Sequence, residues 1–92
     1  MSDFFLTYEE IKEILEYLNF SIKRTASSHQ QWGGVVDNKF RLVTVDTNYN
    51  EYRGWVMSSM LHQSGVNKKK FISYSKTASK RYGVAFIGKG YK

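Results

Sequence analysis

A run of alternating polar and apolar residues constrains the fold of this chain more than any other feature. Residues 20–25 alternate with the period of a half-buried β-strand, and a second strand spans about residues 28–35. Side chains point to opposite faces in turn along a strand, so His29 and Trp32, an odd number of positions apart, lie on opposite faces. We expect the large Trp32 to be buried, which leaves His29 and Gln31 facing outward, within reach of a ligand.

Turn and capping residues place the neighbouring elements. Thr7 and Glu10 have the spacing of a capping box, and the apolar residues that follow have helical spacing. Gly33-Gly34 marks a bulge or the end of the second strand. The further elements are a turn at 37–39, a third strand at 40–45, a helix at about 51–64 that ends at Gly65, and a short helix capped by Asn67. The prediction is an α+β fold of order α-β-β-β-α, with a three-stranded antiparallel meander.

The C-terminal part of the sequence is harder to assign. Residues 82–87 can form a fourth strand, and from residue 66 onward the chain carries eight bases and no acid. Such a run is either a phosphate-binding arm or a solvated tail, and the sequence leaves both open. We therefore divide the chain into a domain at 1–72 and a basic C-terminal extension at 73–92, to which the fourth strand would belong.

Composition excludes several classes of protein. With 92 residues, 41% of them apolar and 24% charged, the chain has the make-up of one globular domain. It has no cysteine, which excludes disulfides and thiolate metal sites and fits a reducing, cytoplasmic location. Two histidines without clustered carboxylates do not make a metal site, and no nucleotide-binding glycine pattern is present, so we expect no metal or other cofactor. No run approaches the roughly 20 apolar residues of a membrane span, and we expect no export signal.

Positive charge is concentrated outside the first helix. Residues 1–19 carry five acids and one base, whereas residues 20–92 carry 13 bases and three acids. A field of that sign attracts phosphate, which favours a polyanion such as RNA as the partner. The alternative is that the charge serves only solubility.

Six pieces of the sequence form an ordered series. They are Asn19-Phe20, Arg24, Ser28-His29-Gln30-Gln31-Trp32, Val43-Thr44-Val45, the run from Met57 to Val66, and Lys69-Lys70-Phe71. At these spacings they resemble HicA-type toxins, also called YcfA-like proteins. The first three are similar to that family's G-[FW]…R…G-S-H-x-x-[FW] region, and the last two to its L-K-S-M-I-K-Q-S-G-L…K-E-F region. The resemblance covers about residues 8–71.

The resemblance implies a fold like that of double-stranded-RNA-binding domains, with both helices on one face of the sheet. It also implies a metal-independent ribonuclease that cuts mRNA and is neutralised by a HicB-type antitoxin. The family's catalytic histidine corresponds to His29. Asn19 and Ser27 stand at two positions where the family has glycine. Asparagine tolerates the left-handed conformation of glycine, whereas the serine at position 27 can alter the loop that presents His29.

RNA carries its own nucleophile, the 2′-hydroxyl, so its cleavage needs proton transfer and positive charge. A neutral His29 can take the 2′-hydroxyl proton as general base, and cations can stabilise the charge that develops on the phosphate. The candidate RNA-binding residues are Lys23, Arg24, Ser28, Gln31, Lys39 and Arg41. Strand parity does not put all four cations on the face of His29. No general acid is evident, so either turnover is slow, or a lysine or the substrate supplies the proton.

Each assignment has a plainer alternative. His29 can be an ordinary exposed histidine, Ser28 a strand-edge hydroxyl, and Arg24 a partner for an acid of the first helix. We interpret His62 as a surface residue and Trp55 as a rim residue that marks a partner contact. For the whole protein, the alternatives to a toxin ribonuclease are a non-catalytic RNA-binding module of similar fold and a protein-binding accessory domain.

Overall fold

The residues that alternate in the sequence form the central sheet of the protein. A computed structural model of the chain describes residues 4–88. Its elements are β1 (Phe5–Thr7), α1 (Tyr8–Tyr17), β2 (Ser21–Ala26), β3 (His29–Val36), β4 (Lys39–Asp46), β5 (Glu51–Arg53), α2 (Gly54–Ser64), α3 (Lys68–Ser73) and α4 (Lys76–Tyr82). Strands β2, β3 and β4 form an antiparallel sheet in that order, and β1 pairs with β5 in a separate antiparallel sheet. The α+β class and the three-stranded antiparallel sheet expected from the sequence are confirmed.

A two-residue turn sets the register of the sheet. Both residues of the Asp37-Asn38 dipeptide have positive φ, 53° and 67°, as the centre of a type I′ hairpin requires. Val36 and Lys39 are therefore paired, and the pairing continues without a shift to His29 opposite Asp46. The turn expected from the sequence is confirmed, and it decides which residue of β4 faces each residue of β3.

Gly33-Gly34 neither ends β3 nor bulges it, contrary to the sequence expectation. Each glycine instead makes room for an aromatic ring on one face of the sheet. A Cβ at Gly34 would come within 2.5 Å of Cδ1 of Phe20, and one at Gly33 within 2.7 Å of Cζ of Phe40. The bulge lies on β2, where the pairing with β3 shifts register at Lys23.

Helix α1 begins as its capping box predicts. The Thr7 hydroxyl accepts from the backbone N–H of Glu10 at 3.2 Å, and the Glu10 carboxylate accepts from the backbone N–H of Thr7 at 3.0 Å. Ile11, Ile14 and Leu15 follow on one side of the helix and are completely buried. The apolar stripe of α1 therefore packs into the core.

One hydrophobic core lies between the helices and one face of the three-stranded sheet. The sheet contributes Trp32, Val43 and Val45, which share a face because Trp32 lies opposite Val43 in the register. The apolar stripe of α1 and the residues Met57 and Met60 of α2 belong to the same core. The core therefore covers this face of the sheet, which we call the helix-side face.

The other face of the sheet carries exposed side chains. Val35 and Phe40 lie opposite each other on it and are 63% and 62% exposed. His29 belongs to the same face by strand alternation. No helix within residues 4–88 packs on this surface, which we call the open face.

Helix α2 begins three residues later than the sequence predicted. Residues 51–53, expected to be its first turn, form β5 and pair with β1, with Leu6 opposite Tyr52. Both side chains are completely buried, so burial of these large side chains outweighs the local helical pattern. The helix starts at Gly54, whose φ of 61° lets the chain leave the strand, and it ends as expected at Gly65.

The short helix expected after Asn67 is confirmed. The Asn67 side chain accepts from the backbone N–H of Lys70 at 2.9 Å, and Phe71 and Ile72 of α3 are buried. The longest helix within residues 4–88 is α2, with 11 residues. None of these helices is long and apolar enough to cross a bilayer.

The fourth strand expected at residues 82–87 is wrong: helix α4 ends at Tyr82, and residues 84–87 form no strand. The Ser75 side chain caps α4 by accepting from the backbone N–H of Ala78, and Gly83 ends the helix in the left-handed conformation. Ala78 is completely buried. The buried side of α4 is built from small residues, so the sequence here lacks the stripe of large apolar residues that would predict a helix. The part of the expected extension at 89–92 lies outside the described residues.

An ion pair ties α4 to the start of the chain. Arg81 donates to both carboxylate oxygens of Glu10, at 2.9 and 2.6 Å, and the Thr77 hydroxyl donates to the same carboxylate at 2.5 Å. Arg81 also donates to the carbonyl of Phe5 at 3.1 Å, so one side chain joins α1, β1 and α4. Burial raises the pKa of Glu10, but the hydrogen bonds that it accepts, first those from Arg81, outweigh burial and hold the pKa below its ordinary value of 4.5.

Removing the guanidinium of Arg81 is expected to destabilise the protein strongly. Arg81→Met leaves the buried carboxylate of Glu10 without its counter-charge, which costs about 3 kcal/mol. Arg53→Met is the matched control, because Arg53 also lies over the ring of Phe5 but pairs with the exposed Glu51. The control is expected to cost less than about 1 kcal/mol. Urea denaturation at neutral pH measures both free energies of unfolding.

The effect of Arg81→Met also depends on pH with a defined sign. Because the pKa of Glu10 is lower in the folded than in the unfolded protein, its contribution is present in full above pH 4.5 and is lost as the pH falls through the folded value. The difference in stability between wild type and variant is therefore expected to shrink in acid. A difference that stays constant from neutral pH down to about pH 3 would contradict this account.

Candidate functional site

The alternation of β3 presents His29 on the open face. Trp32, on the helix-side face, is 3% exposed, and its indole N–H donates to the side-chain oxygen of Gln30 at 3.0 Å. The Tyr8 hydroxyl of α1 donates to the same oxygen at 3.1 Å. Because Trp32 is buried on the helix-side face, His29 and Gln31, at odd separations from it, point to the open face.

His29 faces a carboxylate on the neighbouring strand. Asp46 lies directly opposite it on β4, and His29 Nε2 is 3.5 Å from Asp46 Oδ2. This distance is longer than that of an ordinary hydrogen bond, about 2.7–3.2 Å, so the contact is electrostatic. The His29 side chain is 56% exposed and that of Asp46 is 27% exposed. A substrate therefore has access to the ring.

Asp46 is held in place by its neighbours. Its carboxylate accepts from the backbone N–H of Asn48 at 3.0 Å, and its carbonyl accepts from the Tyr52 hydroxyl at 2.6 Å. The Asn48 hydrogen bond lowers the pKa of Asp46 below its ordinary value of 3.8; desolvation opposes this shift, and Ser28 and His29 reinforce it. Burial raises the pKa of Tyr52 to about 12. At neutral pH the site therefore holds an ionised carboxylate whose backbone is fixed by a protonated tyrosine.

The turn before His29 is joined to the loop after β4. The Ser28 carbonyl accepts from the backbone N–H of Thr47 at 2.8 Å, and the Ser28 hydroxyl accepts from the side-chain amide of Asn48 at 3.1 Å. Ser28 thus bonds to the loop instead of the imidazole ring, and it shapes the site by connecting its two loops.

A β-bulge brings two cations to the open face. Because β2 shifts register at Lys23, Lys23 and Arg24 are consecutive residues on the same side of the sheet. Arg24 lies opposite Gln31, and the Cγ of Lys23 lies 2.9 Å from the point where a Cβ of Gly33 would stand. Arg24 is thereby a diagonal neighbour of His29, a relation that spans about 7–8 Å in antiparallel sheets. The structure groups these two predicted RNA-binding residues with the histidine.

Lys39 and Arg41, also predicted to bind RNA, lie on the helix-side face. Their partners across the hairpin belong to that face. The Arg41 guanidinium packs against Gly65 at the C-terminal end of α2, where a Cβ would come within 2.8 Å of its Cζ. Its Nε is buried and has no hydrogen-bond partner within the described residues. Strand parity separates these two residues from the site, and the charge of Arg41 stabilises a helix end.

The remaining residues singled out by the sequence lie on α2. Trp55 is 77% exposed in the first turn, and His62 is exposed in the last turn. Both belong to the helix layer and not to the open face. Within residues 4–88, no group of three or more histidines or carboxylates is placed to hold a metal ion.

Sequence reasoning did not single out Asp46, which lies one residue beyond the strand predicted at 40–45. A signal for it was present in the turn at Asp37-Asn38. A two-residue turn pairs residue 36 with residue 39 and, seven positions further along each strand, His29 with Asp46. Counting from the turn therefore finds the carboxylate.

An exposed imidazole, an ionised carboxylate and two cations thus share the open face. Comparison of the chain with protein-family models, with curated proteins and with solved structures found no match. The interpretation of the site depends on its own geometry.

The turn that presents His29 contains a strained residue. Ser27 has a φ of 57° and Asn19 a φ of 67°, both in the left-handed region. Glycine is the residue that adopts this conformation most readily. The left-handed conformation costs a residue with a side chain roughly 1–2 kcal/mol, and asparagine tolerates it better than serine.

Ser27→Gly is therefore expected to raise the free energy of unfolding by about 0.5–1 kcal/mol, because relief of strain exceeds the entropy that glycine loses on folding. Asn19→Gly is the control and is expected to change stability less. Urea denaturation of both variants measures the difference. A loss of stability in Ser27→Gly would show that the serine side chain contributes more than its backbone strain costs.

Proposed function

We propose that this protein is a metal-independent endoribonuclease that cuts mRNA, a toxin of the HicA type. The observation that supports this most is the exposed ring of His29 beside the ionised carboxylate of Asp46, at 3.5 Å on the open face. Lys23 and Arg24 share that face. A ribose-phosphate chain attracted by these cations is thereby brought to the imidazole.

The arrangement of elements supports the same proposal. The succession of α1, β2 to β4, and α2, with both helices contributing to the core that covers the helix-side face, is the one expected of a domain similar to those that bind double-stranded RNA. In this interpretation β1, β5, α3 and α4 are additions around that common centre.

In the proposed reaction the RNA supplies the nucleophile. His29 accepts the proton of a 2′-hydroxyl, the 2′-oxygen bonds to the adjacent phosphorus, and the bond from phosphorus to the 5′-oxygen breaks. The products are a 2′,3′-cyclic phosphate and a 5′-hydroxyl. The leaving oxygen takes its proton from solvent.

The neighbours of His29 have separate roles in this reaction. The carboxylate of Asp46 faces Nε2, which orients the ring and leaves Nδ1 to take the proton. The contact has to shorten by about 0.5 Å to become a hydrogen bond, and catalytic contacts commonly tighten when the substrate binds. Arg24, the diagonal neighbour of His29, stabilises the negative charge that develops on the phosphate.

A HicB-type antitoxin is the proposed protein partner, and the cytoplasm the proposed location. The open face is uncovered within residues 4–88 and carries His29 together with Lys23 and Arg24. An antitoxin that lies on this face blocks the imidazole and both cations at once. Acidic side chains on the antitoxin would complement the two cations.

Replacing His29 tests the proposal directly. His29→Ala is expected to lower the rate of mRNA cleavage by a factor on the order of 10²–10⁴ and to relieve growth inhibition, because the general base is lost. RNA binding and folding are expected to persist, since the side chain is 56% exposed. His62→Ala removes the other histidine, on α2, and is expected to leave cleavage unchanged.

Cleavage that survives in His29→Ala would reject the catalytic role of this residue. A wild-type protein that binds RNA and never cuts it would favour a non-catalytic RNA-binding module instead. Asp46→Asn is expected to slow cleavage less than His29→Ala does, because it removes the orienting charge and keeps the base. Cleavage is expected to continue in EDTA, since the nucleophile belongs to the substrate.

The salt dependence of RNA binding tests which face of the sheet is used. Arg24→Gln is expected to reduce the slope of log affinity against log salt by about 0.7 for a lost phosphate contact on a single strand. Lys39→Gln removes an equal charge from the helix-side face and is expected to change the slope less. Fluorescence anisotropy with a labelled RNA measures both slopes. A larger effect of Lys39→Gln would indicate that the RNA binds to the helix-side face instead.

A further inference from the structure

An aromatic ring lies on the open face some distance from His29. Phe40 is 62% exposed, although large aromatic side chains are usually well buried. Its ring extends over Gly33, where a Cβ would come within 2.7 Å of Cζ. Any side chain at position 33 would displace the ring, so the glycine allows Phe40 to lie across the sheet with its outer surface free.

A cationic side chain lies beside this ring. The Cγ of Lys23 is 2.9 Å from the same point above Gly33 that Phe40 approaches. The bulge of β2 puts Lys23 there, and Arg24 follows it on the same face. The ring and the stem of the lysine therefore converge over one residue of β3.

We propose that Phe40 and Lys23 form a subsite for one nucleotide of a single-stranded RNA, with the base stacked on the ring and the phosphate bound by the ammonium group. The inference rests on the proposed ribonuclease function and adds the class of its substrate. Gly33 is four residues from His29 along β3, which corresponds to about 13 Å. The stacked nucleotide thus lies a few positions along the strand from the bond that His29 cuts.

The pattern of groups on this face fits a single strand. Proteins that bind single-stranded nucleic acid combine aromatic rings for the bases with positive charge for the backbone. A duplex keeps its bases stacked inside and exposes its backbone and grooves, so its bases are not available to stack on the ring of Phe40. The substrate class is therefore an unpaired segment of RNA.

The charge of this face complements RNA. Between the hairpin end and the histidine site, the open face carries two cations, Lys23 and Arg24, and no carboxylate. The exposed apolar residues alone suit either RNA or a protein. The two cations beside the ring complement a phosphate chain.

The test measures RNA binding to the full chain in a His29→Ala background, so that the RNA stays intact. The probes are a fluorescein-labelled single-stranded RNA of mixed sequence and the blunt duplex formed from it. Phe40→Ala is expected to weaken single-strand binding by about 5-fold to 100-fold, and Phe40→Trp to retain it because the indole also stacks. Affinity for the duplex is expected to be the same in all three proteins.

The matched control is Ile22→Ala. Ile22 is another exposed apolar residue, 45% exposed, but it pairs with Trp32 and not with an open-face residue. This variant is expected to bind the single strand as the parent does. Thermal unfolding of each variant establishes that it is folded.

Equal single-strand affinity in Phe40→Ala and its parent overturns the subsite, as does duplex binding that falls with Phe40→Ala. If Phe40→Ala abolishes self-association in sedimentation and leaves RNA affinity unchanged, the face binds a second copy of the chain and the proposal is wrong. These measurements use a protein that cannot cut RNA by the proposed route. The binding test therefore does not depend on cleavage. Absence of cleavage by the wild type would reject the ribonuclease, whereas absence of an effect of Phe40→Ala on binding would reject the subsite.

Discussion

The burial of Trp32 in the core determines which face of the central sheet points inward. Gln30 accepts from both this indole and Tyr8 of α1, so one amide oxygen joins the first helix to the middle strand. A shift of one residue along β3 would bury His29 and expose the indole, because side chains alternate between faces. The buried indole on the helix-side face therefore keeps the imidazole on the open face.

The chemistry of the open face follows from two local features of the strands. The type I′ turn before Lys39 sets a register in which Asp46 faces His29, and the loop after β4 then supplies the hydrogen bond that keeps Asp46 ionised. The bulge on β2 turns Lys23 to the same side as Arg24. Without the bulge, strict alternation would send one of these cations to the helix-side face.

Contacts between distant parts of the chain changed the fold around this sheet. The segment at 51–53 has a helical pattern, yet it pairs with β1 because Tyr52 and Leu6 are buried together. The segment at 76–82 has a solvated pattern, yet it packs as α4 because Arg81 neutralises a buried Glu10 some 70 residues earlier. Neither partner is visible within a local window, so neither element follows from local pattern.

The sequence by itself determined the capping box of α1, the three strands with their antiparallel order, the burial of Trp32 and the outward direction of His29. These depend on neighbours a few residues apart, and periodicity and turn chemistry report such neighbours directly. The register that brings Asp46 to His29 was also encoded, in the turn at Asp37-Asn38. Only the tertiary structure decided that Arg41 packs against the end of α2, that Ser28 bonds to the neighbouring loop, and that β5 and α4 exist. Those outcomes depend on which distant surfaces meet, and burial and ion pairing across the fold outweigh local preference there.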